Sequence, residues 1–493
     1  MNKNLLLILL ITILACNSKK KEITQTIEKP NILLIVVDDQ GYADFSPFKA
    51  HDTTVSTPNI TRLGQTGTVY TQAYVTAPVC SPSRAGIITG KNQFRWDKPA
   101  SWGPGLPDSV KTIAEYLKEA GYTTARIGKN DLGRNFHKNN VREYPLNHGY
   151  DEFLGFSAHA HDYWLNSQNI KDRTPDPYGT SALLGPLMHN MGEKSYDEGY
   201  LTDIFTDESI AFLKRKHNKP FFLTLSYNAV HHLIHEVPKK YLDKYNVKEI
   251  PNYDPDSLLA YGKHKAGTYS AYYDKYSRVG AIQHEDLRKY YLANLNCLDD
   301  NIGRVLNTLK DEKLDKNTLI VFISDNGGSP LTGSNNSPLT GGKYSLWEGG
   351  IRVPMAISWP NKVDAGKIET QYVSATDILP TLAKAGGVTI TDNEIDGLNL
   401  LENTKKDRLL VWKWQKTWAA RKGNWKITNA KENHWKSEPS AQYIAPIRND
   451  LTLKLFNIEK DPGERIDLAS EYPEKVKELE TDYKNWCEKN IKK

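Results

Sequence analysis

The stretch "NILLIVVDD", residues 31–39, predicts the class of fold. Its apolar run from Ile32 to Val37 has no polar interruption and ends at Asp38 and Asp39. A strand that is covered on both faces gives such a continuous run, whereas a strand with one wet face alternates between apolar and polar residues. The stretch therefore predicts a buried strand of a parallel sheet, with two carboxylates at its carboxyl end.

Four later apolar runs predict further strands of this sheet: Thr123 to Ile127, Phe221 to Ser226, Leu319 to Ser324 and Met355 to Trp359. Helical patterns separate them. Residues 109–120 place apolar side chains on one face, with Asp108 as the expected N-cap and Gly121 as the stop, and residues 287–310 predict a longer helix. The alternation predicts an α/β fold, in which a large, mostly parallel sheet is sandwiched by helices.

The pattern changes at about residue 405, where aromatic, alternating segments predict a small antiparallel sheet followed by a helix. We therefore expect a catalytic domain over residues 30–404 and a C-terminal α+β subdomain over residues 405–493. Six of the eleven tryptophans lie after residue 405. They favour equally a role in stacking on sugar rings and a role in the core of the small sheet.

The N-terminus has the pattern of an export signal. The apolar run from Leu5 to Ala15 is too short to span a bilayer but is typical of a signal peptide. Its ending resembles the bacterial lipoprotein signal, in which the cysteine is lipidated; an ordinary secretory signal is the alternative. We expect a signal peptide over residues 1–16, lipidation of Cys16, a polar tether over residues 17–29, and an outer-membrane anchor facing the periplasm or the cell surface.

Polar residues follow the predicted strands at the point where each one ends. Lys129 follows the second strand and His231 the third, and Asp325 and Asn326 follow the fourth. Ligands of open α/β sheets bind beyond the carboxyl ends of the strands. With Asp38 and Asp39, these oxygen donors favour Ca²⁺ or Mg²⁺. The net charge of +5 fits an anionic ligand but is too mild to support nucleic-acid binding.

A cysteine lies among small and polar residues in "APVCSPSRAG", residues 77–86. Its "CSPSR" core resembles the Cys-x-Pro-Ser-Arg signature of the type I, formylglycine-dependent sulfatases of the alkaline-phosphatase superfamily. "VVDDQGYAD", "ISDNGG", "NSPLTGGKYSLWEGGIRVP" and "LFNIEKDPGE" resemble other motifs of that family, in the expected order. The similarity covers roughly residues 30 to 490. It implies an alkaline-phosphatase-like fold.

The resemblance also implies roles for individual residues. Cys80 would be oxidised to Cα-formylglycine by a maturation enzyme, and the hydrate of that aldehyde would be the nucleophile. Lys129 and Lys343 would bind sulfate oxygens, His231 would protonate the departing alcohol, and Arg84 would hold the hydrate and the metal ligands in place. One Ca²⁺ would be coordinated by five residues: Asp38, Asp39, residue 80, Asp325 and Asn326.

The chain departs from the family pattern after the second strand. The family has Gly-Lys-Trp-His-Leu-Gly, but this chain has Asp131 in the place of the histidine. We expect Asp131 to take over as a proton acceptor in sulfate release; the alternatives are that His137 reaches into the site or that release is slower. Beside His231, both His232 and His235 are rival candidates for the proton donor.

We therefore expect an exported enzyme that hydrolyses sulfate esters of polysaccharides or oligosaccharides, with algal ulvan, carrageenan or fucoidan favoured over animal glycosaminoglycans. "SAHAHDYW", residues 157–164, is the expected source of substrate contacts. Two alternatives stay open. One is a phosphatase or phosphonate monoester hydrolase of the same superfamily. The other is a catalytically degenerate, glycan-binding lipoprotein.

Overall fold

The computed structural model describes residues 29–49, 51–96, 105–133, 138–165, 186–254, 256–277, 282, 284–391, 395–402, 407–430 and 452–491. The predicted lipidation site Cys16 and the alternative base His137 lie outside these residues. Within them, no helix is long and apolar enough to cross a membrane.

A ten-stranded sheet forms the centre of the large domain. Its strands, in spatial order, are β12 (Lys367–Glu369), β2 (Thr68–Tyr70), β11 (Met355–Ser358), β9 (Thr318–Ser324), β1 (Asn31–Val37), β8 (Phe221–Ser226), β4 (Thr123–Lys129), β5 (Glu152–Phe156), β6 (Leu187–His189) and β7 (Gly192–Lys194). Strand β1 pairs in parallel with both β8 and β9, and β4 pairs in parallel with β8. The prediction that the "NILLIVVDD" segment forms a buried strand of a parallel sheet is confirmed.

The two faces of the sheet are both buried, as the continuous apolar runs predict. Along β1, Leu33 and Ile35 belong to one hydrophobic core, and Ile32 and Leu34 belong to the other. Helices cover the first core with α1 (Pro58–Thr66), α4 (Leu201–Leu213), α5 (Lys239–Lys244), α6 (Tyr269–Tyr276) and α7 (His284–Asp311). The second core is covered by α2 (Cys80–Thr89), α3 (Ile113–Glu119), α8 (Glu348–Ile351) and α9 (Ile378–Ala385).

Two details of the predicted secondary structure are wrong. Strand β11 runs antiparallel to β9, whereas the sequence predicts a parallel strand. Strand β11 follows the short strand β10 (Arg352–Val353). A short buried apolar run has the same sequence pattern in a parallel and in an antiparallel strand, so the pattern does not indicate the direction. Helix α3 begins after Thr112 rather than Asp108, because the Thr112 hydroxyl and the Glu115 carboxylate form a capping box.

A four-stranded antiparallel sheet follows, as predicted: β14 (Leu409–Trp414), β15 (Thr417–Lys422), β16 (Trp425–Thr428) and β17 (Lys454–Asn457). Helix α10 (Pro473–Asn490) packs on it. Trp412 is buried and donates from Nε1 to the Val75 carbonyl at 2.7 Å, and Trp418 stacks on Tyr483 at a ring distance of 4.1 Å. These tryptophans serve packing. A third, three-stranded sheet combines β10 with β3 (Ala73–Tyr74) and β13 (Val373–Ser374).

Buried charges connect the small sheet to the large domain. The Lys426 ammonium on β16 lies 3.0 Å from a carboxylate oxygen of Glu348 and 2.8 Å from one of Glu464. All three side chains are buried. Since burying a charge is costly unless it is paired, this cluster depends on the correct docking of the two sheets.

Candidate active site

Helix α2 presents Cys80 at its first residue, directly after the extended residue Val79. The cysteine is buried, and its sulfur lies 3.5 Å from Oδ1 of Asp38 at the end of β1. Burial, and next the charge of Asp38, raise the pKa of the Cys80 thiol well above its usual value. The unmodified cysteine is therefore a poor source of thiolate at neutral pH.

Two aspartates at the end of β1 form the centre of the site. Asp39 has a φ of 59°, a left-handed conformation that aspartate tolerates better than most residues. The ligand atoms of Asp38, Asp39, Cys80 and His231 all lie within 4.8 Å of one another. Every one of these side chains is buried. The sheet thus gathers groups from three separate segments around one point.

The end of β9 supplies the next two groups. Asp325 accepts a bond from Arg84 Nε at 2.7 Å, and its Oδ1 lies 3.3 Å from the backbone nitrogen of Asp39. Asn326 donates from Nδ2 to Asp39 Oδ1 at 2.6 Å. Arg84 also donates to the Ser226 hydroxyl at 2.6 Å. A buried guanidinium on α2 therefore fixes the helix against the ends of β8 and β9.

Two lysines bring positive charge to the aspartates. Lys129 Nζ lies 2.6 Å from Asp38 Oδ2 and 3.3 Å from Asp131 Oδ2. Lys343 Nζ lies 2.8 Å from Asp39 Oδ1. Burial disfavours the charged form of both lysines, but the surrounding negative charges together outweigh it and raise both pKa values. Both ammonium groups are therefore charged at neutral pH, and each is paired with aspartate carboxylates.

The aspartates differ in their proton affinity. Burial favours the neutral form of each, but Lys129, Arg84 and Lys343 together hold the pKa of Asp38 below its usual value. Burial dominates at Asp39 and raises its pKa. Burial and the charge of Asp38 raise the pKa of Asp325 to about 7. Carboxylates in such surroundings need positive charge to be ionised together.

The donor set fits a divalent cation. Carboxylate oxygens predominate, as hard cations require. The Oδ1 atom of Asn326 is buried and has no hydrogen-bond partner among the described residues, and a cation would satisfy it. Asp38, Asp39, Asp325, Asn326 and residue 80 are thus suited to hold one ion together, with His231 close beside them.

Comparison with known proteins gives the family. Residues 30–388 match the sulfatase family, and residues 342–492 match the family of N-sulphoglucosamine sulphohydrolase C-terminal regions. The chain belongs to the sulfatase family. This sulfatase is a sulfuric ester hydrolase with an alkaline-phosphatase-like fold, as the sequence motifs predict.

Several relatives resemble this sulfatase over nearly its whole length. Human N-acetylgalactosamine-6-sulfatase is 29% identical over 92% of this chain and 84% of its own. The solved structure of Ps i-CgsB in complex with k-i-k-neocarrahexaose is 30% identical, with a TM-score of 0.75 and 94% coverage of each chain. PsFucS1 sulfatase from Pseudoalteromonas sp. is 22% identical over 93% of this chain and 90% of its own; its TM-score of 0.68 supports the fold alone.

Of the three candidate histidines, His231 reaches the aspartate cluster. His231 Nε2 lies 3.8 Å from Asp39 Oδ2, which brings it to the cluster. His235 bonds through Nε2 to the Tyr272 hydroxyl at 2.8 Å and is buried. His232 is half-buried beside His231. Of the three, His231 is therefore the one positioned beside Asp38 and Asp39.

Asp131 occupies a strained backbone position. Its φ of 47° is left-handed, and its carboxylate is buried beside Lys129. The chain thus turns sharply after β4 and directs Asp131 to the same lysine that contacts Asp38. The predicted function of Asp131 as a proton acceptor stays a prediction.

The segment "SAHAHDYW" contributes less surface than predicted. His161, Asp162 and Tyr163 are buried, and the Tyr163 hydroxyl donates to the carbonyl of His231 at 3.0 Å. His159 is half-buried at the end of β5. The segment mainly supports the histidine loop. Tyr273, which lies next to His232, is not predicted from the sequence; its only sequence signal is the tyrosine-rich segment around it.

Proposed function

We propose that this sulfatase hydrolyses sulfate esters on sulfated polysaccharides or oligosaccharides, using Cα-formylglycine derived from Cys80 and one Ca²⁺. The observation that carries the proposal is the buried contact between Cys80 and Asp38, within a cluster that faces two charged lysines. A glycan substrate is supported by the 30% identity to Ps i-CgsB, whose structure contains a neocarrahexaose. Carrageenan-type oligosaccharides are therefore the first substrates to test.

The modified residue and the cation supply a geminal diol nucleophile and a Lewis acid when present. The chain's own residues do the rest. Lys129 and Lys343 bind the sulfate oxygens as positive charges and offset their charge as the ester is cleaved. Arg84 holds the first turn of α2 in place through Asp325 and Ser226. Residue 80, the nucleophile, is therefore held in a fixed position close to Asp38.

His231 donates a proton to the departing alcohol oxygen. Burial, and next the positive charges around it, keep the pKa of His231 well below its usual value in the structure. A bound sulfate ester brings negative charge, which stabilises the imidazolium. Substrate binding thus prepares the acid that the second half of the displacement needs. Asp131, beside Lys129, accepts a proton during sulfate release.

The protein would be exported and its Cys80 oxidised before it becomes active. The N-terminal signal and Cys16 would anchor the protein to the outer membrane by lipid, facing the periplasm or the cell surface. A formylglycine-generating enzyme would read residues 80–84 in the extended chain, because Cys80 and Arg84 are both buried once the chain has folded.

Sulfate release tests the proposal. The protein is co-expressed with a formylglycine-generating enzyme and assayed on carrageenan, ulvan, fucoidan and glycosaminoglycan oligosaccharides and on a sugar phosphate. We expect sulfate release from at least one oligosaccharide, slower hydrolysis of the phosphate, and no turnover by Cys80→Ala. Faster hydrolysis of the phosphate would favour a phosphatase. Glycan binding without turnover, despite an oxidised residue 80, would favour a binding protein.

A further inference from the structure

Three side chains form a series of contacts that begins at His231, the histidine that faces the cluster. His232 follows His231, and their ring centroids are 3.8 Å apart. The Tyr273 hydroxyl lies 2.9 Å from His232 Nε2, and the Tyr273 ring meets the His159 ring edge-on at 6.4 Å. All three side chains are half-buried, in contrast to the buried residues of the metal cluster. They therefore form the partly open border of the site.

The hydrogen-bond network fixes which hydrogen this border can offer. His232 Nδ1 is enclosed and has no hydrogen-bond partner among the described residues. A buried N–H without an acceptor is more costly than a bare ring nitrogen, so the proton belongs on Nε2. There it donates to the Tyr273 oxygen. The hydrogen of the Tyr273 hydroxyl is then free for an acceptor on a ligand.

A buried polar network holds Tyr273 in this position. On helix α6, the neighbouring Tyr272 donates from its hydroxyl to Glu236 Oε1 at 2.6 Å and meets His235 Nε2 at 2.8 Å. Glu236 Oε2 accepts from the backbone nitrogen of Tyr163 at 2.8 Å. The helix, the histidine loop and the segment after β5 are thus joined through Glu236. A border built in this way is preorganised for a ligand.

We propose that His159, His232 and Tyr273 form the subsite for the sugar ring that carries the scissile sulfate, and that they bind its neutral hydroxyl and C–H groups. The inference rests on the proposed function, since it assumes a glycan sulfate at the two lysines. Aromatic rings that carry a few polar atoms are suited to the faces and hydroxyls of pyranoses.

The electrostatics support recognition of neutral groups. Burial raises the pKa of Tyr273, and burial lowers the pKa of His159 to about 4. Both side chains are therefore uncharged at neutral pH and offer hydrogen bonds without ion pairs. The positive charges of Lys343 and Lys129 partly oppose the rise in the pKa of Tyr273. These two lysines are the residues proposed to bind the sulfate, so the Tyr273 side chain lies within reach of their charges. The sulfate is held by charge and the sugar by neutral contacts.

A comparison of two substrates, one with a sugar and one without, tests the subsite. For the wild type and Tyr273→Phe, kcat/KM is measured on the sulfated oligosaccharide that is hydrolysed fastest and on 4-nitrophenyl sulfate, whose leaving group has no sugar hydroxyls. We expect the ratio of oligosaccharide to aryl sulfate to fall on the order of tenfold in Tyr273→Phe, since one hydrogen bond to a hydroxyl is lost. His159→Gln is a second variant with the same expectation. Tyr472→Phe, at an exposed tyrosine of the C-terminal region, is the matched control.

The outcomes separate the two proposals. A wild type that releases sulfate from both substrates, with an unchanged ratio in Tyr273→Phe and His159→Gln, would overturn the subsite and leave the proposed function intact. A wild type with an oxidised residue 80 that hydrolyses the aryl sulfate but none of the oligosaccharides would overturn the glycan substrate and the subsite together. Melting temperatures of the variants establish that each one is folded.

Discussion

Arg84 Nε lies 2.7 Å from Asp325 Oδ2, and both side chains are buried. This ion pair joins the first turn of α2 to the end of β9 and so connects the residue at position 80 with the buried carboxylate cluster. Arg84 also bonds to Ser226 at the end of β8. One guanidinium therefore sets the mutual position of three elements that meet at the site.

Breaking this pair will impair both activity and stability. Asp325→Asn leaves the Arg84 charge without its main partner and weakens the cation site. We expect kcat/KM to fall by at least about 100-fold and the free energy of unfolding to fall by about 3 kcal/mol, measured by steady-state kinetics and urea denaturation. Arg84 itself is avoided, because its substitution would also affect maturation.

The matched control is Glu152→Gln, which breaks the exposed pair between Glu152 and Arg215 at 2.7 Å. Exposed pairs contribute little, so the change in stability should stay below about 1 kcal/mol. Equal losses of stability in Asp325→Asn and Glu152→Gln would contradict the prediction that the buried pair contributes more than the exposed one.

Removal of the cation will abolish activity and lower the melting temperature. A ligand that binds only the folded protein stabilises it by about 2.7 kcal/mol at 100 times its dissociation constant. We expect EGTA to remove activity and Ca²⁺ to restore it. In Asp39→Asn, the melting temperature should no longer respond to EGTA or Ca²⁺. Full activity after exhaustive chelation, verified by metal analysis, would refute the cation site.

Substitution of Asp131 tests its proposed part in sulfate release. Asp131→Asn tolerates the left-handed backbone conformation but cannot accept a proton. We expect a rapid release of about one equivalent of alcohol followed by slow turnover, because the second half of the reaction becomes limiting. Asp131→His, which restores the family residue, should recover much of the steady rate. Unchanged steady turnover in Asp131→Asn would remove the proposed function of this carboxylate.

The stability of the protein will depend on pH through Glu464. Burial raises the pKa of this carboxyl from 4.5 to about 7, although Lys426 opposes the shift. The folded protein thus binds this proton more tightly than the unfolded chain, so the contribution of Glu464 to stability falls as pH rises from about 4.5 to about 7. Glu464→Gln should remove this decline in the free energy of unfolding, measured across that range.

The exposed Glu459 provides the control, since Glu459→Gln should leave the pH dependence of the wild type in place. The same pH dependence in Glu464→Gln as in the wild type would show that other groups are responsible.

The sequence predicts the central strands well because strands that are buried on both faces have one simple pattern. In β1, every residue from Ile32 to Val37 is buried. The proximity of Asp39 to Asp325 and Asn326 follows from the same logic, since residues at the carboxyl ends of neighbouring parallel strands must lie close together. The direction of β11 does not follow, because a short apolar run carries no information about strand polarity.

Contacts between distant segments are harder to predict. Tyr273 and His232 are 41 residues apart, and nothing in either segment indicates their hydrogen bond. The buried cluster of Lys426, Glu348 and Glu464 likewise depends on how two sheets dock. In each case the sequence resembles that of an ordinary polar surface. Only tertiary packing reveals that these polar and charged groups are paired with one another.

Peptide mass spectrometry shows whether Cys80 works as formylglycine. The protein is purified from a host that contains the maturation enzyme, and the peptide that includes residues 80–84 is analysed alongside a sulfate-release assay on the same sample. We expect an aldehyde at position 80, with activity that scales with the fraction converted. Full activity in a sample whose Cys80 is an unmodified thiol would contradict it.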